Sequence, residues 1–162
     1  MKRLISLLAL VLLPSSAAAS SGLAKDWGHR AGALYDLTTL MIYQIDHGAA
    51  PSLKESYFIE LDKFSRIAGQ LSLWSDDSKV KAELACIYRD MQIETARQRH
   101  ILERTLRQED RREALRRLAV IFIDAELVSQ ASVRQVTPPI ATLSQPRLAC
   151  AADPRMAAAA YK

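Results

Sequence analysis

The sequence is poor in the residues that interrupt helices. It has only five glycines, all at or before position 69, and no proline between Pro51 and Pro138. Proline breaks helices and glycine weakens them, and residues 70–137 contain neither. Such a long stretch argues against a protein of short strands and tight turns. We therefore expect long helices.

Motifs for catalysis and for cofactor attachment are also missing. The chain contains no Gly-x-Ser-x-Gly, no His-Glu-x-x-His and no phosphate-binding glycine loop. It lacks Cys-x-x-Cys-His, the attachment motif of c-type haem. His29 and His47 would lie about 27 Å apart on one helix, and helical spacing puts His29, His47 and His100 outside the apolar faces. We therefore expect no enzyme activity, no metal site and no cofactor.

The N-terminus has the pattern of an export signal. Lys2-Arg3 precedes the apolar run Leu4–Leu13, and Ala17-x-Ala19 supplies the small residues that a signal peptidase recognises. A run this short cannot anchor the chain in a bilayer, which takes roughly 20 apolar residues. We predict that residues 1–19 are a signal peptide cut after Ala19, and that the mature chain is periplasmic or secreted without a stable membrane anchor.

Export also changes the charge balance. The chain has 22 basic and 18 acidic side chains, and losing Lys2 and Arg3 leaves 20 − 18 = +2. A mildly positive protein outside the cytoplasm is not expected to bind nucleic acid. The mature length, 162 − 19 = 143 residues, suits a single domain with its own core.

Apolar residues recur at helical spacing in four segments of the mature chain. Short connections between such segments favour antiparallel neighbours. The sequence therefore predicts an all-α protein, an antiparallel four-helix bundle over residues 20–136. Its predicted helices are a first over about 23–47, a second from the Ser52–Glu55 capping box to about Trp74, a third after Ser75–Ser78, and a fourth from about Arg111 to Val136.

The boundary between the third and fourth helices depends on one motif. Asp110-Arg-Arg-Glu113 has the pattern of a second capping box, which places a break at Gln108–Asp110. That segment contains neither glycine nor proline. The alternative is one continuous helix of about 60 residues, roughly 90 Å long. We predict the break.

The chain changes character after residue 136. Pro138, Pro139, Pro146 and Pro154 oppose regular structure, so we predict an irregular tail over 137–162 that packs in part on the bundle. Both cysteines, Cys86 and Cys150, belong to the mature chain. In an oxidising compartment a lone pair usually forms one disulfide, which loop-closure entropy values at about 4 kcal/mol. The alternative is two separate thiols.

Two groups of polar residues are candidate sites. Glu94, Thr95 and Gln98 interrupt the apolar seam of the third helix, where they would fix helix register or line a small ligand site. The alternative is that the helix turns Glu94 towards solvent. Eight arginines and no lysine lie in the segment 97–117. They form either a solvated face with local ion pairs or a docking surface for an acidic partner, with candidate residues Arg97, Arg104, Arg107, Arg111, Arg112 and Arg116.

These observations favour a non-catalytic protein that works by binding another protein. We expect a factor of the bacterial envelope, of an accessory, chaperone-like, inhibitor or immunity type, whose partner is another envelope or secreted protein. The alternative is a helical bundle that binds a small ligand or cofactor through the polar layer around Glu94.

Overall fold

The computed structural model describes residues 16–77 and 82–134, and this part of the chain is built from α-helices. They are α1 (Ser16–Asp46), α2 (Glu55–Asp77), α3 (Ala82–Arg104) and α4 (Gln108–Val133). No strand occurs within the described ranges. The prediction of an all-α bundle is confirmed. The predicted tail, residues 137–162, lies outside the described residues.

Helices α1 and α4 form one tight antiparallel pair. The Ser129 hydroxyl, near the end of α4, donates a hydrogen bond of 2.8 Å to the carbonyl of Ala24, near the start of α1. At the other end, Arg112 pairs with Asp46 at 2.5 Å. The backbones approach so closely that a methyl group at Gly28 would overlap the Ser129 side chain. Small residues thus set the separation of this pair.

Helices α2 and α3 form a second pair of the same design. The Ser72 hydroxyl donates to the carbonyl of Ala85 at 2.8 Å, and the Ser65 hydroxyl donates to the carbonyl of Gln92 at 3.1 Å. Residue numbers rise on one helix as they fall on the other, so these helices are also antiparallel. Gly69 allows the Gln92 side chain to lie across α2, because a Cβ there would be only 2.8 Å from the Gln92 amide nitrogen.

An aromatic cluster at the centre of the bundle joins the two pairs, with one ring from each helix. The Trp27 indole stacks on Phe64 with ring centroids 4.8 Å apart, and it meets the edge of Tyr88 at 5.2 Å. Phe64 in turn meets Phe122 edge to face at 5.1 Å. The Trp27 indole nitrogen donates to the carbonyl of Phe64 at 3.1 Å, so its polar group is satisfied inside the core.

Several helix ends differ from the sequence predictions. Among the described residues helix α1 extends back to Ser16 rather than starting near Leu23, because the segment between them has three alanines and no proline, and Gly22 weakens a helix without ending it. It ends before Gly48, which adopts φ 76° as a C-terminal glycine commonly does. The predicted capping box at Ser52 is wrong. Helix α2 starts at Glu55, and Ser52 precedes it in a segment without regular secondary structure.

The predicted break between the third and fourth helices is confirmed, and the single continuous helix is wrong. The break lies at Thr105–Arg107, slightly earlier than Gln108–Asp110. Asp110 therefore lies in the first turn of α4 instead of capping it, and its carboxylate accepts a hydrogen bond of 3.0 Å from the Thr105 hydroxyl. The N-cap residue is Arg107, whose side chain makes no capping bond.

The close approach of α1 to α4 predicts opposite effects for two glycine substitutions on the same helix. Gly28→Ala is expected to lower the free energy of unfolding by about 1–3 kcal/mol, because the new methyl group overlaps Ser129. Gly32→Ala meets nothing within 4 Å. It is expected to raise that free energy by about 0.5–1 kcal/mol through helix propensity. Urea unfolding of both variants measures the difference, and equal effects would contradict the packing described for this pair.

Candidate functional site

The structure places the predicted polar layer partly inside and partly at the edge of the bundle. Thr95 and Gln98 are fully buried, whereas the Glu94 side chain is 19% exposed. Glu94 accepts a 2.6 Å hydrogen bond from the Gln98 amide. It also lies within ion-pair distance of Arg97 at 3.4 Å and Arg117 at 3.9 Å. Glu94 therefore lies at the edge of the predicted layer, mostly buried yet reached by solvent. This position is intermediate between the predicted internal site and the alternative of a Glu94 turned towards solvent.

A small rotation of α3 explains this position. On the sequence alone, alternating steps of three and four residues take the seam of this helix from Met91 to Glu94, Gln98 and Ile101. In the structure it takes a four-residue step from Met91, so Thr95 and Leu102 are buried while Glu94 and Ile101 lie at its flank. The observed seam then alternates steps of four and three without a gap. Leu102 and Ile101 are adjacent and both apolar, so spacing alone could not show which of them is buried at the end of the seam.

Thr95 is the unusual member of this layer. Its hydroxyl is buried and has no hydrogen-bond partner among the residues that the structure describes. Thr38, equally buried on α1, has two: its hydroxyl donates to the carbonyl of Leu34 at 2.6 Å and shares a hydrogen bond of 2.7 Å with the hydroxyl of Tyr57. Burial raises the pKa of Tyr57, so this pair stays neutral at physiological pH. An unpaired buried hydroxyl costs about 1–3 kcal/mol.

Most of the candidate arginines bond to their own chain. Arg104 and Arg116 are the exceptions, since both are exposed and neither has an ion-pair partner in the described ranges. Local ion pairs, as the first interpretation of the segment expects, are present for Arg97 and Arg107, whereas Arg112 pairs with α1 and Arg111 bonds to a backbone carbonyl. Their contacts are Arg97 to Glu94 at 3.4 Å, Arg107 to Glu109 at 3.2 Å, Arg112 to Asp46 at 2.5 Å, and the Arg111 Nε donating to the carbonyl of Thr105 at 3.1 Å.

The connection between α3 and α4 presents an apolar side chain that the sequence analysis missed. Leu106 is 87% exposed, the highest value among the exposed large apolar residues of the described ranges. Its neighbour Thr105 holds the connection in place. The Thr105 hydroxyl donates to Asp110 at 3.0 Å and accepts from the backbone N–H of Arg107 at 3.3 Å. We call residues 104–107 the α3–α4 corner.

Positive charge surrounds this corner unevenly. The acids nearest to the corner in sequence are already paired. Glu103 pairs with Arg99 at 3.0 Å, and Glu109 pairs with Arg107 at 3.2 Å. Neither Arg104 nor Arg111 has an ion-pair partner within the described residues, although the Nε of Arg111 donates to the carbonyl of Thr105. The corner thus combines an exposed leucine with the exposed guanidinium of Arg104 and the half-buried guanidinium of Arg111.

Cys86 is buried, with 3% of its surface exposed. Cys150 lies outside the described residues, so the disulfide between them stays a prediction. The three histidines are exposed, as predicted from their spacing.

In residues 16–77 and 82–134, no three His, Cys, Asp or Glu side chains gather in a way that could hold a metal ion. No helix in the same ranges combines the length and apolar character needed to cross a membrane. No protein-family model, curated protein or solved structure shows a significant match to this chain.

The contrast between the two buried threonines yields a stability prediction. Thr95→Val keeps the shape of the side chain and removes the unpaired hydroxyl, so it is expected to raise the free energy of unfolding by about 1 kcal/mol. Thr38→Val is the matched control. It deprives Tyr57 of its partner and is expected to lower the free energy by about 1–3 kcal/mol. Urea unfolding measures both, and a destabilised Thr95→Val would show that the hydroxyl has a partner in solution.

Proposed function

We propose that this chain is an exported, non-catalytic protein-binding factor of the bacterial envelope, of an accessory, chaperone-like, inhibitor or immunity type. The observation that carries the proposal is the exposure of Leu106 on a corner fixed by hydrogen bonds. Its partner is an envelope or secreted protein with an apolar pocket rimmed by acidic side chains. Leu106 would fill the pocket, and Arg104 and Arg111 would pair with the rim.

The geometry of the corner suits docking for an energetic reason. Binding costs free energy when flexible side chains and loops must be ordered. Here Thr105 already links both sides of the connection, and the carbonyl of Thr105 accepts from Arg111 on α4. A leucine on such a support enters a pocket with little further ordering, and burying it fully contributes about 1.5–3 kcal/mol.

Export is supported by the N-terminal sequence and is compatible with the fold. Cleavage after Ala19 would remove only the start of α1, which runs from Ser16 to Asp46. The first core residue of the described side chains is Ala24, which lies after the cut. The mature chain would therefore keep the core of the bundle.

The proposed disulfide is compatible with the position of the helix ends. The hydroxyls of Tyr88 and Ser132 lie 2.5 Å apart, so the end of α4 is beside the start of α3. Cys86 lies two residues before Tyr88. Cys150 follows Arg134 by 150 − 134 = 16 residues, enough to span about 50 Å when extended. A Cys86–Cys150 bond would hold part of the tail against α3.

The alternative function, binding of a small ligand or cofactor, rests on one observation. The Thr95 hydroxyl is buried without a partner next to the buried Gln98, and a ligand that accepts a hydrogen bond would satisfy it. Glu94 lies beside them at the edge of the bundle, where its carboxylate accepts a hydrogen bond from the Gln98 amide.

The experiment that tests the proposed function is native mass spectrometry of the protein purified gently from a bacterial envelope fraction. We expect a protein partner that is lost on denaturation. Leu106→Asp is expected to weaken its binding at least tenfold, because a charge would enter the apolar pocket. Leu73→Asp is the matched control, since Leu73 is also strongly exposed but lies on α2. A partner lost equally with both variants, or no partner at all, would contradict the proposal.

The same sample tests the finer parts of the proposal. The mature chain is expected to begin at Ser20 and to gain two hydrogens on reduction after denaturation. A chain that keeps residues 1–19 would contradict export, and no mass gain would contradict the disulfide. A retained small molecule, with no protein partner, would favour the ligand-binding alternative.

A further inference from the structure

The side of α3 that faces away from the bundle carries a row of exposed residues. The neighbouring helices mark its two flanks. The Gln92 side chain lies against Gly69 of α2, and the Glu94 carboxylate lies 3.9 Å from the guanidinium of Arg117 on α4. Ile93 lies between Gln92 and Glu94 in sequence, and a helix turns by about 100° per residue, so Ile93 faces away from both neighbours. Its side chain is 53% exposed, in agreement with this position.

Steps of three and four residues extend the row from Ile93 to the end of α3. Its members are all exposed and are Ile93, Ala96, Arg97, His100 and Arg104. We call these five residues the outer row of α3. The row covers about 16 Å of helix, or three turns. Arg104 is also the first residue of the α3–α4 corner, so the row leads directly to the exposed side chain of Leu106.

The outer row has basic members and no acidic one. Residues 93–107 contain four arginines and two acids, a net charge of 4 − 2 = +2. Both acids lie on the flanks of the row, where Glu94 pairs with Arg97 at 3.4 Å and Glu103 pairs with Arg99 at 3.0 Å. The Arg97 side chain is 60% exposed, and an ion pair this exposed contributes little to stability. Arg97 can therefore exchange Glu94 for the carboxylate of a partner.

The arrangement of this surface fits an acidic helix better than a membrane. Its apolar residues lie at the two ends, Ile93 at one and Leu106 at the other, with Arg97, His100 and Arg104 between them. A helix that lies on a lipid surface needs an apolar face along its length, which the outer row does not have. A second helix, in contrast, presents carboxylates every three or four residues along one side, and guanidinium and imidazole groups donate hydrogen bonds to carboxylates.

We propose that the outer row of α3 and Leu106 form one docking surface for an acidic helix of the partner protein, whose carboxylates pair with Arg97, His100 and Arg104. This inference rests on the proposed function, because it extends the contact of the same partner from the corner along α3. It adds one requirement: the partner presents acidic residues at steps of three and four over about three helical turns. One end of that helix forms part of the acidic rim around the pocket for Leu106.

A designed peptide tests this requirement without the native partner. The probe is a helical peptide of about 20 residues with glutamates at steps of three and four on one face and a leucine at each end of that face. The control peptide has the same composition, with the glutamates distributed around the helix. Each is titrated at low ionic strength into the isotope-labelled mature chain and followed by NMR. We expect the largest amide shifts in residues 93–107, and binding of the control peptide to be at least about fivefold weaker.

Two double variants with the same change in net charge locate the site. Arg97→Glu with His100→Glu is expected to weaken binding of the probe at least about tenfold, because carboxylates would then face carboxylates. Arg66→Glu with Gln70→Glu is the matched control, since both residues are exposed on α2, and it is expected to change the affinity less than about twofold. Circular dichroism checks that both variants are folded.

Several results would overturn the inference. They are equal binding of the two peptides, shifts centred outside residues 93–107, and equal loss of binding with the two double variants. Binding to phosphatidylglycerol vesicles through the outer row, without binding of the probe, would favour a membrane surface instead. The native partner separates this inference from the proposed function. If Leu106→Asp weakens its binding and the Arg97→Glu and His100→Glu double variant does not, the proposed function stands and the extension along α3 is wrong.

Discussion

The position of Trp27 is the constraint on which the rest of the bundle depends. Helices α1 and α4 are held together by small residues and short hydrogen bonds, and so are α2 and α3. Between these pairs, Trp27 on α1 both stacks on Phe64 and donates to its carbonyl, while Tyr88 packs against its edge. Near the surface, Arg30 pairs with Glu60, whose pKa is lowered chiefly by a hydrogen bond from Lys63. That exposed contact contributes less than the buried ring cluster.

The surface proposed for docking lies outside a well-packed core. Within the described residues, the Thr95 hydroxyl is buried without a hydrogen-bond partner, whereas Leu106 is exposed at the α3–α4 corner, at one end of the bundle. Because Leu106 takes no part in the core, a partner can bury it without any rearrangement of the helices.

Much of this fold could be predicted from spacing, and the exceptions have identifiable physical causes. Four helices, their main apolar rows and the turn at Gly48 follow from periodicity and from the conformational freedom of glycine. The capping box at Ser52 failed because a serine three residues before a glutamate caps a helix only if the chain turns there. Within the site, Glu94 and Thr95 are adjacent, so spacing cannot decide which one is buried. Leu106 was missed because a single leucine between arginines carries no periodic signal.

Hydrogen exchange of the two tryptophan indole N–H groups, followed by NMR, tests the central role of Trp27 most directly. Trp27 is fully buried and bonded to a carbonyl, whereas Trp74 is 41% exposed and serves as the reference within the same molecule. The account predicts that the Trp27 indole exchanges only when the whole bundle unfolds, at least about 1,000-fold more slowly than that of Trp74. Similar exchange rates for the two indoles would contradict it, because the two helix pairs would then separate without global unfolding.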